Sequence, residues 1–251
     1  MRFSKIPTEV KKYLYIHNDI YRGMPINKEK NNQKLVEITN NEIKCEPFWN
    51  DKIILTGDKE IDDLLFLESK EMADYIQKNG DNFGIFVREE VKDVLLKIDK
   101  NLKEKGYFLA LKIGYRPLQV QKNLFKKIFE FYKEKNKNLS QEEIYDLTTQ
   151  MISNPDRDVS PHTTGGVVDV VLYDKSGELV DMGCPVNYAG EKANITTNDI
   201  SEKQRRNREI LQDEFLDSGF SCLASEWWHF SYGDPYWAKF YGKNEALFGA
   251  I

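Results

Sequence analysis

Tyr107-Phe108-Leu109-Ala110-Leu111-Lys112-Ile113, framed by Gly106 and Gly114 and followed by Tyr115-Arg116-Pro117, is the stretch on which the reading of the fold turns. A short apolar run broken only by Lys112 and bounded by glycines predicts a buried strand. Upstream, Val91, Val94, Leu95, Ile98 and Leu102 recur at helical spacing after Glu89, and Gly106 supplies the stop. Downstream, Pro117 stands where a first helical residue belongs, and Val120, Leu124, Phe125, Ile128 and Tyr132 continue one apolar stripe. Tyr115 and Arg116 therefore fall at a strand-to-helix junction.

Further out, Ser140 with Glu143 three residues later forms a capping-box pattern ahead of Ile144, Leu147 and Met151. A loop over 154–164 leads through Gly165 and Gly166 into a β-branched run over 167–173, a strand. Asp174, Lys175, Ser176 and Gly177 make a turn into 178–182, which predicts a hairpin. A helix is expected over about 202–218, stopped by Gly219, before the aromatic segment 226–232. Residues 1–80 are the least legible part, mixing charged stretches such as 27–34 with short apolar runs such as 52–55, and read as short strands and loops. Strands and helices alternate irregularly, which favours α+β over a doubly wound parallel sheet. The expected architecture is a single domain over 1–251, with a small antiparallel sheet flanked by helices.

The 251 residues suffice for a sizeable core without disulfides. Cys45, Cys184 and Cys222 are odd in number and far apart, with no C-x-x-C pair, so reduced thiols and a cytoplasmic location are expected. Charged residues within the first dozen positions leave no stretch of signal-peptide length, and no later run approaches a membrane span. Asn138 and Asn194 match the glycosylation pattern by chance on this reading. A net charge of −5, with both signs mixed throughout, excludes the footprint of a nucleic-acid or anionic-lipid binder. The expected partner is a small molecule, with no nucleic acid and no membrane, and the oligomeric state is left open.

Only three histidines exist, and two lie among other potential ligands: Ser160-Pro161-His162-Thr163-Thr164-Gly165-Gly166-Val167-Val168-Asp169 and Glu226-Trp227-Trp228-His229. A catalytic zinc takes three protein ligands from His and Asp/Glu and keeps a fourth position for water, whose pKa falls from about 15.7 towards about 7. His162, Asp169 and His229 supply that set. Glu226, three residues before His229, is placed to take a proton from the water and pass it to a leaving amine. A histidine beside aromatics is often only a hydrogen-bonded structural residue, and a lone Glu-x-x-His match is weak. The joint pattern is stronger, because Asp169 lies in an otherwise apolar strand where a lone carboxylate is costly and a metal or cation removes the cost. Arg116 by itself reads equally as a surface ion pair. His17 reads as a surface residue, Cys184 and Cys222 as packing residues, and Arg205, Arg206 and Arg208 as a solvated helix face.

These segments resemble the D-alanyl-D-alanine dipeptidase family of zinc peptidases. The family pattern S-x-H-x-x-G-x-A-x-D is matched by Ser160, His162, Gly165 and Asp169, E-x-W-H by Glu226, Trp228 and His229, and G-Y-R-P by Gly114, Tyr115, Arg116 and Pro117. Asp181-Met182-Gly183 and the segment 231–238 fit as well, so the resemblance spans about 82–249. It implies one zinc per chain held by His162, Asp169 and His229 in a cleft, Glu226 as the base and Arg116 as stabiliser of the oxyanion, with Ser160 and Tyr115 at the substrate. It also implies hydrolysis of D-alanyl-D-alanine or a related small dipeptide, bearing on cell-wall precursors. Two departures stand out: Val167 replaces the motif's alanine, and Ile113 stands where the family's fuller motif has aspartate. Rival readings are a carboxypeptidase or endopeptidase on peptidoglycan stem peptides, and a non-catalytic zinc-stabilised binding module.

Overall fold

A computed structural model describes residues 23–47, 59–79, 84–188 and 190–251. In chain order its elements are β1 (Leu35–Ile38), β2 (Lys44–Cys45), α1 (Lys59–Asn79), β3 (Ile85–Arg88), α2 (Glu89–Glu104), β4 (Tyr107–Ile113) and α3 (Leu118–Lys135). There follow α4 (Gln141–Met151), β5 (Val167–Asp174), α5 (Glu202–Asp217), β6 (Ser221–Cys222), β7 (His229–Ser231) and α6 (Pro235–Phe240). His17 and the apolar run 52–55 lie outside the described residues.

The helices start and stop where local chemistry dictates. Glu89 and Glu90 occupy the first turn of α2 and Lys103 its last, each complementing the helix dipole, and Gly106 takes the left-handed conformation (φ +82) that ends it. Ser140 caps α4 in a full capping box with Glu143, as expected, and Ser201 with Gln204 does the same for α5. Pro117 is the residue before α3 rather than its first: its extended ψ of 137° turns the chain, and helical geometry begins at Leu118.

The main sheet runs in the order β2-β4-β5-β7-β6, and β1 pairs with β3 in a separate antiparallel ribbon. All its neighbours are antiparallel except the two-residue edge strand β2, which pairs parallel to β4. Side chains alternate across a strand, so Val168, Val170 and Leu172 of β5 enter the main core. There they join Leu95, Ile98 and Leu102 of α2, Leu211 and Phe215 of α5, and Phe230 of β7, which stacks on Phe215 at 4.0 Å between centroids. The odd-numbered positions of β5 face the other way, so Asp169 projects from the opposite side of the sheet. That side is partly covered by helices: Met72 of α1 and Val120 of α3 pack on Ile113, and α3 and α4 close a small core of Leu124, Ile128, Tyr132, Ile144 and Ile152.

Three expectations change. The early region is not all strands and loops: 59–79 is a 21-residue helix, whose apolar residues include the run Leu64-Leu65-Phe66-Leu67, too short and continuous for periodicity to assign. The hairpin after β5 forms its turn, with Val180 N–H on the Leu172 carbonyl at 2.9 Å, but its second arm makes one bridge, Leu179 to Tyr173, and leaves the sheet. It leaves because Asp181 is taken by α5: Gln204 Nε2 donates to its carboxylate and Asn207 Nδ2 to its carbonyl.

Nor is the arginine cluster a solvated face. Arg206 is exposed, but Arg208 is buried and donates to the carbonyls of Met182, Lys192 and Asn194 at 2.7, 2.7 and 3.1 Å, tying the irregular segment 182–194 to α5. Replacing it with methionine keeps the bulk but takes the Arg208 donor from the Met182 and Lys192 carbonyls, each a cost of about 1–3 kcal/mol, while the Asn194 carbonyl keeps the Thr197 amide. Arg208→Met is expected to lower unfolding free energy by about 2–4 kcal/mol in urea titrations.

Candidate metal centre

Register assembles the centre. In the antiparallel pairing of β5 with β7, Asp169 lies opposite His229, so both side chains rise on the same face. His162 comes from a 3-10 turn, Pro161–Thr164, which Gly165 closes in the left-handed region (φ +71) before β5 begins. A side chain at 165 would also meet Leu35, whose Cδ2 lies 2.5 Å from the Cβ position. Sequence thus brings the three expected ligands together from one strand pair and one turn.

His162 Nε2 lies 3.4 Å from one Asp169 oxygen and His229 Nδ1 lies 3.1 Å from the other. One donor atom from each of the three residues falls within 4.8 Å of the other two, and all three residues are buried. Asp169 Oδ1 is fully enclosed yet accepts no well-directed hydrogen bond, despite the nearness of His229. A buried carboxylate oxygen of this kind is costly unless a cation satisfies it. Two imidazoles and a carboxylate match the donor set of a divalent transition metal. Burial alone would push the Asp169 carboxyl up; the imidazoles of His162 and His229 beside its two oxygens outweigh it and hold the group well below the usual carboxylate range. Asp169 is therefore an anion throughout the neutral range, as a ligand must be.

The surrounding residues fix which atoms point inward. His162 Nδ1 faces the Gly114 carbonyl at 2.9 Å, which assigns its proton there and turns Nε2 toward Asp169. Glu226 stands at the rim: one carboxylate oxygen is 3.5 Å from His229 Nδ1, and its side chain is 31% exposed while His229 and Asp169 are 6% exposed. Of the four, it alone combines contact with the cluster and access to solvent. Its loop is pinned by Trp227, whose amide donates to Ala193 and whose indole donates to Cys184. Behind His229, burial pushes the Asp234 carboxyl up to about 6, opposed by the Trp237 amide that it caps and by His229.

Arg116 is buried at the junction of β4 and α3, where its amide donates to the His162 carbonyl at 3.0 Å. Its Nη1 donates to Gln121 Oε1 at 2.8 Å, and Gln121 Nε2 donates to the Ser153 carbonyl at 2.9 Å. Gln121 was missed in the sequence. The available signal was a polar residue on the stripe shared by Leu124, Ile128 and Tyr132, where it is 1% exposed. Ser160 is buried and directs its hydroxyl at 3.4 Å to the Ser153 carbonyl, the same oxygen that accepts Gln121 Nε2. Tyr115 is half-buried, and its hydroxyl donates to the Ile251 carbonyl at 3.4 Å. Ile113 fills the apolar space beneath Met72 and Val120, which accounts for the departure from aspartate.

Fold and donor set define the class: an α+β protein with a buried His–Asp–His cluster that could hold a metal ion and a carboxylate at its rim. Comparison with known proteins gives the family. The family described as D-ala-D-ala dipeptidase matches residues 73–245, and the chain belongs to that peptidase family. The D-alanyl-D-alanine dipeptidase of Enterococcus faecium is 32% identical over 152 residues, covering 59% of this chain and 73% of the relative. That of Enterococcus faecalis is 30% identical over 140 residues, covering 52% and 65% respectively. Among solved structures, VanYB in complex with D-Alanine-D-Alanine aligns over 64% of this chain and 80% of its own, with 14% identity and a TM-score of 0.40.

A metal bound at about 100 times its dissociation constant should stabilise the fold by about 2.7 kcal/mol. Adding zinc to chelator-stripped protein is expected to raise the melting temperature, and Asp169→Asn to abolish most of that rise while the stripped protein still melts cooperatively.

Proposed function

We propose that the chain is a zinc peptidase of one domain that hydrolyses D-alanyl-D-alanine, or a closely related small dipeptide, to free amino acids. The observation that carries this reading is a buried aspartate held between two histidines with a solvent-accessible glutamate against the same cluster, in a member of a dipeptidase family. His162 Nε2, an Asp169 oxygen and His229 Nδ1 are the atoms that would hold the ion. Zinc bound there would acidify water and polarise the scissile carbonyl.

The chain's own groups do the rest. Glu226 takes a proton from the attacking water; as the carbon–nitrogen bond breaks, it returns that proton to the departing amine. Its partial exposure suits this role, because the water and the amine both have to reach it. Arg116 pairs with negative charge growing on the former carbonyl oxygen, and Gln121 holds the guanidinium from behind, so little reorganisation is needed as charge develops. Ser160 and Tyr115 border the substrate position. Three free cysteines, none paired, support a cytoplasmic setting, where the dipeptide occurs as a precursor for cell-wall synthesis.

Loss of a general base typically costs about 10²–10⁴ in rate. Glu226→Gln is expected to bind zinc as the parent does and to lose turnover by about that factor. Release of D-alanine from D-alanyl-D-alanine, set beside release from a longer stem peptide, checks both claims. Retained turnover in the variant rejects the role of Glu226, and cleavage of the longer peptide alone replaces the dipeptidase reading with a wall carboxypeptidase.

A further inference from the structure

Four consecutive carbonyls of the turn that carries His162 are each taken by a donor from elsewhere in the chain. The His162 carbonyl accepts the Arg116 amide, the Thr163 carbonyl accepts the Ile251 amide, and the Gly165 carbonyl accepts the Arg88 amide at 2.8 Å. The fourth, that of Thr164, accepts Arg88 Nε at 2.7 Å. Arg88 thus grips the C-terminal end of the turn twice, once through its backbone and once through its side chain.

The rest of that side chain reaches segments far away in sequence. Nη1 donates to the carbonyls of Asn31 and Gln33 at 2.7 and 2.5 Å. Nη2 donates to Asn31 Oδ1 at 3.2 Å and to the Gly249 carbonyl at 3.3 Å. A guanidinium has five N–H donors in a fixed fork, and here five acceptors meet them. All five are carbonyl oxygens, the residue is 2% exposed, and one face lies over the Phe248 ring at 5.1 Å. Burying a cation without a carboxylate partner is costly, and an apolar side chain could fill the same space. What an apolar residue could not do is fix five carbonyls from three segments in one geometry. Two of those segments, 31–33 and Gly249, lie outside the region 73–245 matched to the family.

We propose that Arg88 is a positioning residue for the metal centre, and that through it segments 31–33 and 249 belong to the support that holds His162 ready to bind the ion. This rests on the assignment of His162 as a ligand. The mechanism is indirect: with the Thr164 carbonyl released, the turn gains freedom, and the imidazole must be ordered when metal binds.

The test is zinc affinity of the full chain, measured by competition with a chromophoric chelator at a temperature well below melting. Loss of an outer support of a metal ligand typically costs 10–100-fold in affinity. Arg88→Met and Arg88→Lys are both expected to weaken zinc binding by about that factor, lysine included, since one ammonium cannot serve the five acceptors. Ile144→Ala, in the small core of α3 and α4, is the control for general destabilisation, expected to melt earlier with zinc affinity unchanged. Should the Arg88 variants not fold, Asn31→Ala removes only the Nη2 acceptor and its bond from the Gly249 amide, and should weaken zinc binding in the same direction. Folded Arg88 variants, or Asn31→Ala in their place, with zinc affinity within about two-fold of the parent overturn the proposal. Full zinc binding by His162→Ala would instead remove the ligand assignment beneath it.

Discussion

A single carboxylate in the middle of a buried strand is the constraint to which the structure answers. Asp169 is 4% exposed and stands between Val168 and Val170, which are wholly enclosed. An ion in such a place is unfavourable by several kcal/mol unless its charge is met. Two imidazoles stand beside it, leaving a cluster that could hold a metal ion, and each imidazole has to be delivered from a different part of the chain. The antiparallel register of β5 with β7 delivers one; the tethered turn before β5 delivers the other. Shift either strand by one residue and the ligands part to opposite faces of the sheet.

This explains why so much of the chain's hydrogen bonding converges on short irregular segments. The sheet can align Asp169 with His229 through backbone pairing alone, but a 3-10 turn has few bonds of its own. Its position is set by donors from β3, from the β4–α3 junction and from the C-terminal segment. The Glu226 loop is held in a comparable way by Ala193 and Cys184, which α5 anchors through Arg208. Buried arginines appear at both places because one guanidinium can satisfy several carbonyls that no regular element pairs.

Much of this was legible in sequence where local chemistry governs. The strand over Tyr107–Ile113, the capping box of Ser140 and Glu143, and the ends of α2 and α5 follow from glycines, caps and apolar spacing. The clustering of His162, Asp169 and His229 was legible because Asp169 violates the apolar pattern around it. What stayed hidden depends on contacts distant in sequence. Arg88 and Arg208 carry the same charge as solvated arginines, and nothing local marks that their partners are carbonyls 76 and 26 residues away. Gln121 was visible in principle as a polar residue on a buried stripe, but its meaning required knowing where Arg116 ends. Helix α1 was obscured by a continuous apolar run that suits a strand as well as a helix.

The two polar systems flanking the centre differ in a way that assigns them different work. Arg116 and Gln121 share a helix junction, and their chain of bonds runs from the guanidinium to Ser153 with no metal ligand's side chain in it. Under the proposed mechanism, changes there alter where positive charge sits relative to a substrate and so act on the charge that develops during reaction. The His162 turn and its tethers act earlier, on whether the ion is held at all. The proposed ligand turn and the proposed oxyanion group thus rest on separable sets of residues. They meet at one bond, the Arg116 amide on the His162 carbonyl, which fixes the distance between the guanidinium's backbone and the ligand's. Through that bond, substrate chemistry and metal chemistry keep register across a centre whose parts come from segments more than a hundred residues apart.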